Sequence, residues 1–123
     1  MTREEASRRY MIPAEILDEY ERWGLCASVK QVMGCWQYDE RDLERLSLIM
    51  ALHDIGFSAA EVEAYMRLAL AGDDTSAQRL KMLERLRSQT LDEIHLRERQ
   101  LDRLDYLRHR LNQGTPFLQE DAK

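Results

Sequence analysis

Apolar residues recur at helical spacing along most of the chain, with one interruption. Arg3 to Tyr10 is a short helical stretch, broken by Met11-Ile12-Pro13. Pro13 suits the first turn of a new helix, because its fixed φ is already helical and its missing N–H is not needed there. Ile16, Leu17, Tyr20 and Trp23 then mark one helix face, and Gly24 ends it. Two short helices with about three residues between them predict a helix-turn-helix. From Leu25 to Tyr38 the period changes. Ser28 to Val32 and Cys35 to Tyr38 carry strand-like residues around Met33-Gly34, which predicts a small hairpin.

Asp39 is placed to cap a third helix, with Glu40 and Asp42 in its first turn and Leu43, Leu46, Ile49 and Met50 on its apolar face. Gly56 closes it. Ser58-Ala59-Ala60-Glu61 has capping-box spacing and opens a fourth helix. Val62, Tyr65, Met66 and Ala69 form its buried side. Ala71-Gly72-Asp73-Asp74 is a hinge. Thr75 to Leu111 follows without a Gly or Pro, rich in strong helix formers. Thr75-Ser76-Ala77-Gln78 has the spacing of a capping box, and Gly114 and Pro116 stop the run.

As one helix that run is roughly 55 Å long, more than a small domain needs. Its apolar positions make a broken heptad. Leu80, Ile94 and Leu101 share one row with Arg87 and Arg108; Leu83, Leu104 and Leu111 share the other with Thr90 and Arg97. So narrow a stripe asks for a partner helix, and the residues expected to pair are Leu80, Leu83, Ile94, Leu101, Leu104 and Leu111. The plainer alternative is a long helix folded back on the front of the chain. The predicted class is mainly all-α, with residues 1–72 as a headpiece, 73–113 as a dimerisation helix and 114–123 as a flexible polar tail.

Composition narrows the function. With 123 residues there is room for one small domain and an extension. No apolar run is long enough to span a membrane, and the charged start Met1-Thr2-Arg3-Glu4-Glu5 has no signal core, so a cytoplasmic protein is the expectation. Cys26 and Cys35 stand alone without a CxxC, and reduced thiols are expected. With His53, His95 and His109 they show no zinc-like spacing, so neither metal nor cofactor is expected. No nucleophile-and-base motif or glycine-rich phosphate loop argues for an enzyme. Charge is unevenly spread. Residues 1–74 hold eight Lys or Arg against fifteen Asp or Glu, a net of −7, while the remainder is +2. A front this acidic repels phosphate.

The order helix, helix, hairpin, helix, helix, long helix resembles the MerR family of bacterial transcriptional regulators. Leu17-Asp18-Glu19-Tyr20-Glu21-Arg22-Trp23-Gly24-Leu25 is similar to the family's Leu-Arg-Tyr-Tyr-Glu-x-x-Gly-Leu. Tyr38-Asp39-x-x-Asp42-Leu43-x-Arg45-Leu46 is similar to its third-helix opening. Ile55-Gly56-Phe57-Ser58-Ala59-Ala60-Glu61-Val62 resembles Leu-Gly-Phe-Ser-Leu-x-Glu-Ile. The resemblance runs from about Arg3 to Leu111. It implies a winged helix-turn-helix headpiece with a β-hairpin wing, and a homodimer built on an antiparallel coiled coil.

The departures fall where the family meets DNA. Its Arg-Thr-Leu-Arg-Tyr-Tyr stands here as Glu15, Ile16, Leu17, Asp18, Glu19 and Tyr20, so both arginines have become carboxylates. Its wing arginine is replaced by Trp36 in Gly34-Cys35-Trp36-Gln37-Tyr38. Glu15, Asp18 and Glu19 are expected on one exposed face, as a solvated acidic surface or as acceptors from cytosine. Arg8, Arg9, Arg22, Lys30, Trp36 and the Tyr38 hydroxyl are the residues expected to contact DNA. Tyr20, Trp23, Phe57 and Tyr65 read as core first and as a ligand pocket second. Three functions therefore stay open: a DNA-binding regulator; a degenerate headpiece acting as a protein-interaction module, paired with an intact relative; and a small-molecule binder.

Overall fold

The computed structural model describes residues 1–25, 31–32 and 35–114, with 31–32 and 35–36 described through their backbone alone. Five α-helices run in order: α1 (Arg3–Tyr10), α2 (Ala14–Arg22), α3 (Glu40–Asp54), α4 (Ala59–Ala71) and α5 (Ser76–Asn112). Between α2 and α3, β1 (Gln31–Val32) pairs antiparallel with β2 (Cys35–Trp36) in the register Gln31 to Trp36 and Val32 to Cys35. The fold is mostly helical. The chain divides into two units, Met1–Met82 and Leu83–Lys123.

The helix ends are set locally. Thr2 caps α1 by accepting from the Glu5 amide, and Asp39 and Ser58 form capping boxes with Asp42 and Glu61. After α2, the Leu25 amide reaches the Tyr20 carbonyl and Gly24 donates to Glu21, a Schellman closure with Gly24 at φ +70°. Phe57 and Gly56 close α3 in the same way, on Leu52 and His53. At Gly72, φ +130° with ψ 175° lies in a region that admits glycine almost alone, which explains the hinge.

The expected capping box at Thr75 does not form. Asp73–Thr75 is a turn of 3-10 helix leading into α5, and the Thr75 hydroxyl donates back to the carbonyls of Leu68 and Gly72. Sequence spacing cannot distinguish a hydroxyl turned towards α5 from one turned towards the end of α4.

The core of the first unit is where α2, α3 and α4 converge. Leu17, Tyr20, Leu46, Ile49, Val62 and Met66 are almost fully enclosed, and Phe57 packs its ring 6.3 Å from that of Tyr65. Tyr20, Phe57 and Tyr65 are thus packing residues. Leu43, Met50 and Ala69 are only half-buried, while Leu52 is buried. The N-terminus also takes part: the Met1 ammonium and carbonyl bond the Tyr38 carbonyl and amide at 2.9 and 2.7 Å, and Thr2 bridges to Gln37.

No residue of α5 is buried. Leu80, Ile94, Leu101, Leu104 and Leu111 are exposed, and Leu83 is half-buried. Each of the five exposed residues leaves apolar surface open to solvent in the single chain.

Candidate nucleic-acid interface

The α1–α2 pair is held by charge as well as by packing. From the first turn of α1, Arg3 reaches across to Asp18 and Glu21 of α2, the latter at 2.8 Å. Hydrogen bonding to Asp18 raises the Arg3 pKa above its ordinary value, against the opposing effect of burial. Glu21 also accepts from the Tyr38 hydroxyl, tying α2 to the segment after β2. Glu19 meets His53 Nε2 of α3 at 2.9 Å. The Tyr20 hydroxyl donates to Asp42, whose other oxygen accepts the Asp39 amide at 3.0 Å. In the turn, Ser7 Oγ donates to the Ile12 carbonyl at 2.8 Å. Carbonyls at the end of α2 are received from behind: Leu25 by Arg45 at 2.8 Å and Trp23 by Arg67 at 3.0 Å.

These ties correct the expected acidic face. Glu15 and Asp18 are exposed, but Asp18 is paired, and Glu19 is half-buried against His53. Most of the carboxylates on α2 therefore fasten it to α1, α3 and Tyr38. The basic residues sort in the same way. Arg3, Arg45 and Arg67 are engaged within the unit. Arg8, Arg9 and Arg22 are exposed, and among the described residues none has an ion-pair partner. Arg8 and Arg9 lie in the last turn of α1 and Arg22 in the last turn of α2, where cations also favour the helix dipole.

Tyr38 departs from its expected place: only 3% exposed, its ring lies 6.3 Å from that of Tyr20 and its hydroxyl is given to Glu21. That hydroxyl faces the protein rather than solvent. Lys30, Cys26 and the side chains of Cys35 and Trp36 lie outside the described residues. Among those described, no cluster of three His, Cys, Asp or Glu could hold a metal ion, and no helix is long and apolar enough to cross a membrane.

Sequence reading missed three of the residues that fix the unit. Asp42 reads as a first-turn surface acid yet is fully enclosed; its capping-box spacing from Asp39 was the available signal. Arg3 and His53 gave no sequence signal, because their partners are 15 and 34 residues away.

Residues 1–69 match the model of the MerR HTH family regulatory proteins. The chain belongs to the MerR family. It is 29% identical over 106 residues to an uncharacterized HTH-type transcriptional regulator of Haemophilus influenzae, covering 85% of this chain and 78% of that one. Among solved structures it is similar to HiNmlR, described as a MerR family regulator lacking the sensor domain, bound to promoter DNA. There the identity is 27% and the TM-score 0.63, over 93% of this chain and 91% of the other. A putative MerR family regulator from Listeria monocytogenes shares the fold at TM-score 0.68 and 24% identity, over 99% and 93% of the two chains. The protein is a MerR-family transcriptional regulator, and its relatives are regulators rather than enzymes.

Proposed function

We propose that this MerR-family protein is a cytoplasmic homodimer that binds duplex DNA through a winged helix-turn-helix. Residues 1–72 are the headpiece, 73–113 the dimerisation helix and 114–123 the tail. In this reading α2 enters the major groove, α1 lies against the phosphate backbone, and β1–β2 forms the wing. Leu80, Leu83, Ile94, Leu101, Leu104 and Leu111 join two copies of α5. Arg8, Arg9 and Arg22 meet phosphates, with Lys30 and Trp36 near the wing.

The charge sorting on α1–α2 carries the reading. Arg8, Arg9 and Arg22 face solvent without partners among the described residues, while Asp18, Glu19 and Glu21 are held by protein groups. Repulsion from α2 is therefore weaker than its count of acids implies. The promoter DNA in the structure of the sensor-lacking relative supports the same function.

Duplex binding measured against salt tests this. Affinity falls as salt rises, with a slope of about 0.9 per phosphate neutralised. Arg8→Ala with Arg9→Ala lowers that slope by about 1 to 2 if each arginine meets a phosphate. Absence of binding at low salt to any duplex from a randomised pool overturns the reading. The net charge of −7 over residues 1–74 favours a second reading in that event: a headpiece without DNA affinity that pairs with an intact relative through α5.

A further inference from the structure

We propose that Glu15 is a specificity-determining residue that reads a cytosine by accepting a hydrogen bond from its N4 amino group; this rests on the DNA-binding reading above. Glu15 is the second residue of α2 and is exposed. Asp18, Glu19 and Glu21 on the same helix each have a partner: Arg3, His53, and Arg3 with Tyr38. Glu15 has no hydrogen bond or ion pair among the described residues. Pro13, at the N-cap, supplies no side-chain cap and leaves the first turn open.

Position and chemistry then narrow what Glu15 meets. In a helix-turn-helix the N-terminal residues of the second helix face base edges. An ionised carboxylate has acceptors only. In the major groove guanine presents two acceptors, thymine an acceptor and a methyl group, and adenine an amino donor beside an acceptor. Cytosine alone presents a donor with no acceptor of its own beside it. Glu15 therefore accepts from cytosine and sets lone pairs against the other bases at that position. It works mainly by rejection, because a carboxylate near phosphates lowers affinity for every duplex.

The bland role for Glu15 is a first-turn acid that favours the helix dipole. Removing such an acid lowers the melting point and shifts binding to all sequences alike; removing a base reader changes one position. The experiment selects duplexes from a randomised pool with the wild-type dimer, then measures all four bases at each selected position for wild type, Glu15→Ala and Glu15→Gln. Wild type is expected to prefer cytosine at one position in each half-site by about tenfold. Glu15→Ala erases that preference, leaves the other positions unchanged and binds random duplex more tightly. Glu15→Gln moves the preference towards adenine, which an amide pairs through both of its groups. A pyrimidin-2-one nucleotide in place of that cytosine, which lacks the amino group, weakens wild type by the same factor and leaves Glu15→Ala unaffected.

An unchanged base profile in Glu15→Ala, or a uniform loss across all sequences with a lowered melting point, overturns the proposal while DNA binding stands. Wild type that binds duplex without preferring a base at any position overturns this proposal alone, and wild type that binds no duplex at low salt overturns the DNA-binding reading with it.

Discussion

In the first unit Leu17, Leu46 and Leu52 are 3% exposed or less, whereas Leu101 and Leu104 of α5 stand 56% and 52% exposed. The residue type is the same and the surroundings are opposite. Between Arg3 and Ala71, α1 packs on α2, α2 on α3 and α3 on α4, so each helix helps cover the next. Along the 37-residue α5 no residue is enclosed in this way, and an isolated helix gains little stability from its own propensity. Polar groups follow the same division. The first unit ties Asp42, Glu19 and Glu21 to groups on other elements, while the side chains of Thr90, Arg97, Arg108 and Arg110 on α5 bond residues three or four positions away. Apolar side chains are enclosed in one region and exposed in the other.

The largest effect is expected on α5. Leu101→Glu with Leu104→Glu places charge in the proposed seam, and light scattering should then show a monomer or an unfolded chain. The wild-type melting point should rise with protein concentration, as association stabilises only the folded helix. A wild-type monomer at micromolar concentration breaks the comparison, because α5 then stands without a covering partner.

Asp42→Ala probes the other side. It removes the Asp42 arm of the α3 capping box, which accepts the Asp39 amide, and an acceptor of the buried Tyr20 hydroxyl together, at a cost of about 2 to 4 kcal/mol by denaturant unfolding. An effect below about 0.5 kcal/mol would show that packing alone sets this unit.

A smaller effect separates two acids on one helix. Asp18→Arg sets a cation against Arg3 and is expected to destabilise the first unit by about 1 kcal/mol, since the lost pair is partly exposed. Glu15→Arg has no partner to lose among the described residues and should leave the unfolding free energy within about 0.5 kcal/mol of wild type while steepening the salt dependence of DNA binding. Equal destabilisation by both would undo the distinction between a tying acid and a reading one. The smallest expected effect is that of a chelator. The reduced protein should melt at the same temperature with and without it, and a drop would reveal a structural metal.

Much of this molecule was legible in the sequence because it is decided within one or two helical turns. Asp39 and Ser58 as caps, Gly24 and Gly56 as stops, Pro13 before α2 and the apolar spacing of Ile16, Leu17 and Tyr20 are local signals with local causes. The unpartnered stripe of α5 is equally a matter of spacing along one element. Local spacing failed at Thr75, where two helices compete for one hydroxyl.

What only the tertiary structure decided is which charges remain available. The sequence presents Glu15, Asp18, Glu19 and Glu21 as four acids on a short helix, and Arg3, Arg8, Arg9 and Arg22 as four arginines nearby. Folding brings Arg3 to Asp18 and Glu21, His53 to Glu19, and Tyr38 to Glu21, so three of the acids become fastenings and Tyr38 turns inward. Glu15, Arg8, Arg9 and Arg22 stay in solvent. An ionic partner is chosen by distance in space, and contacts spanning 15 to 34 residues leave no period in the sequence from which they can be read.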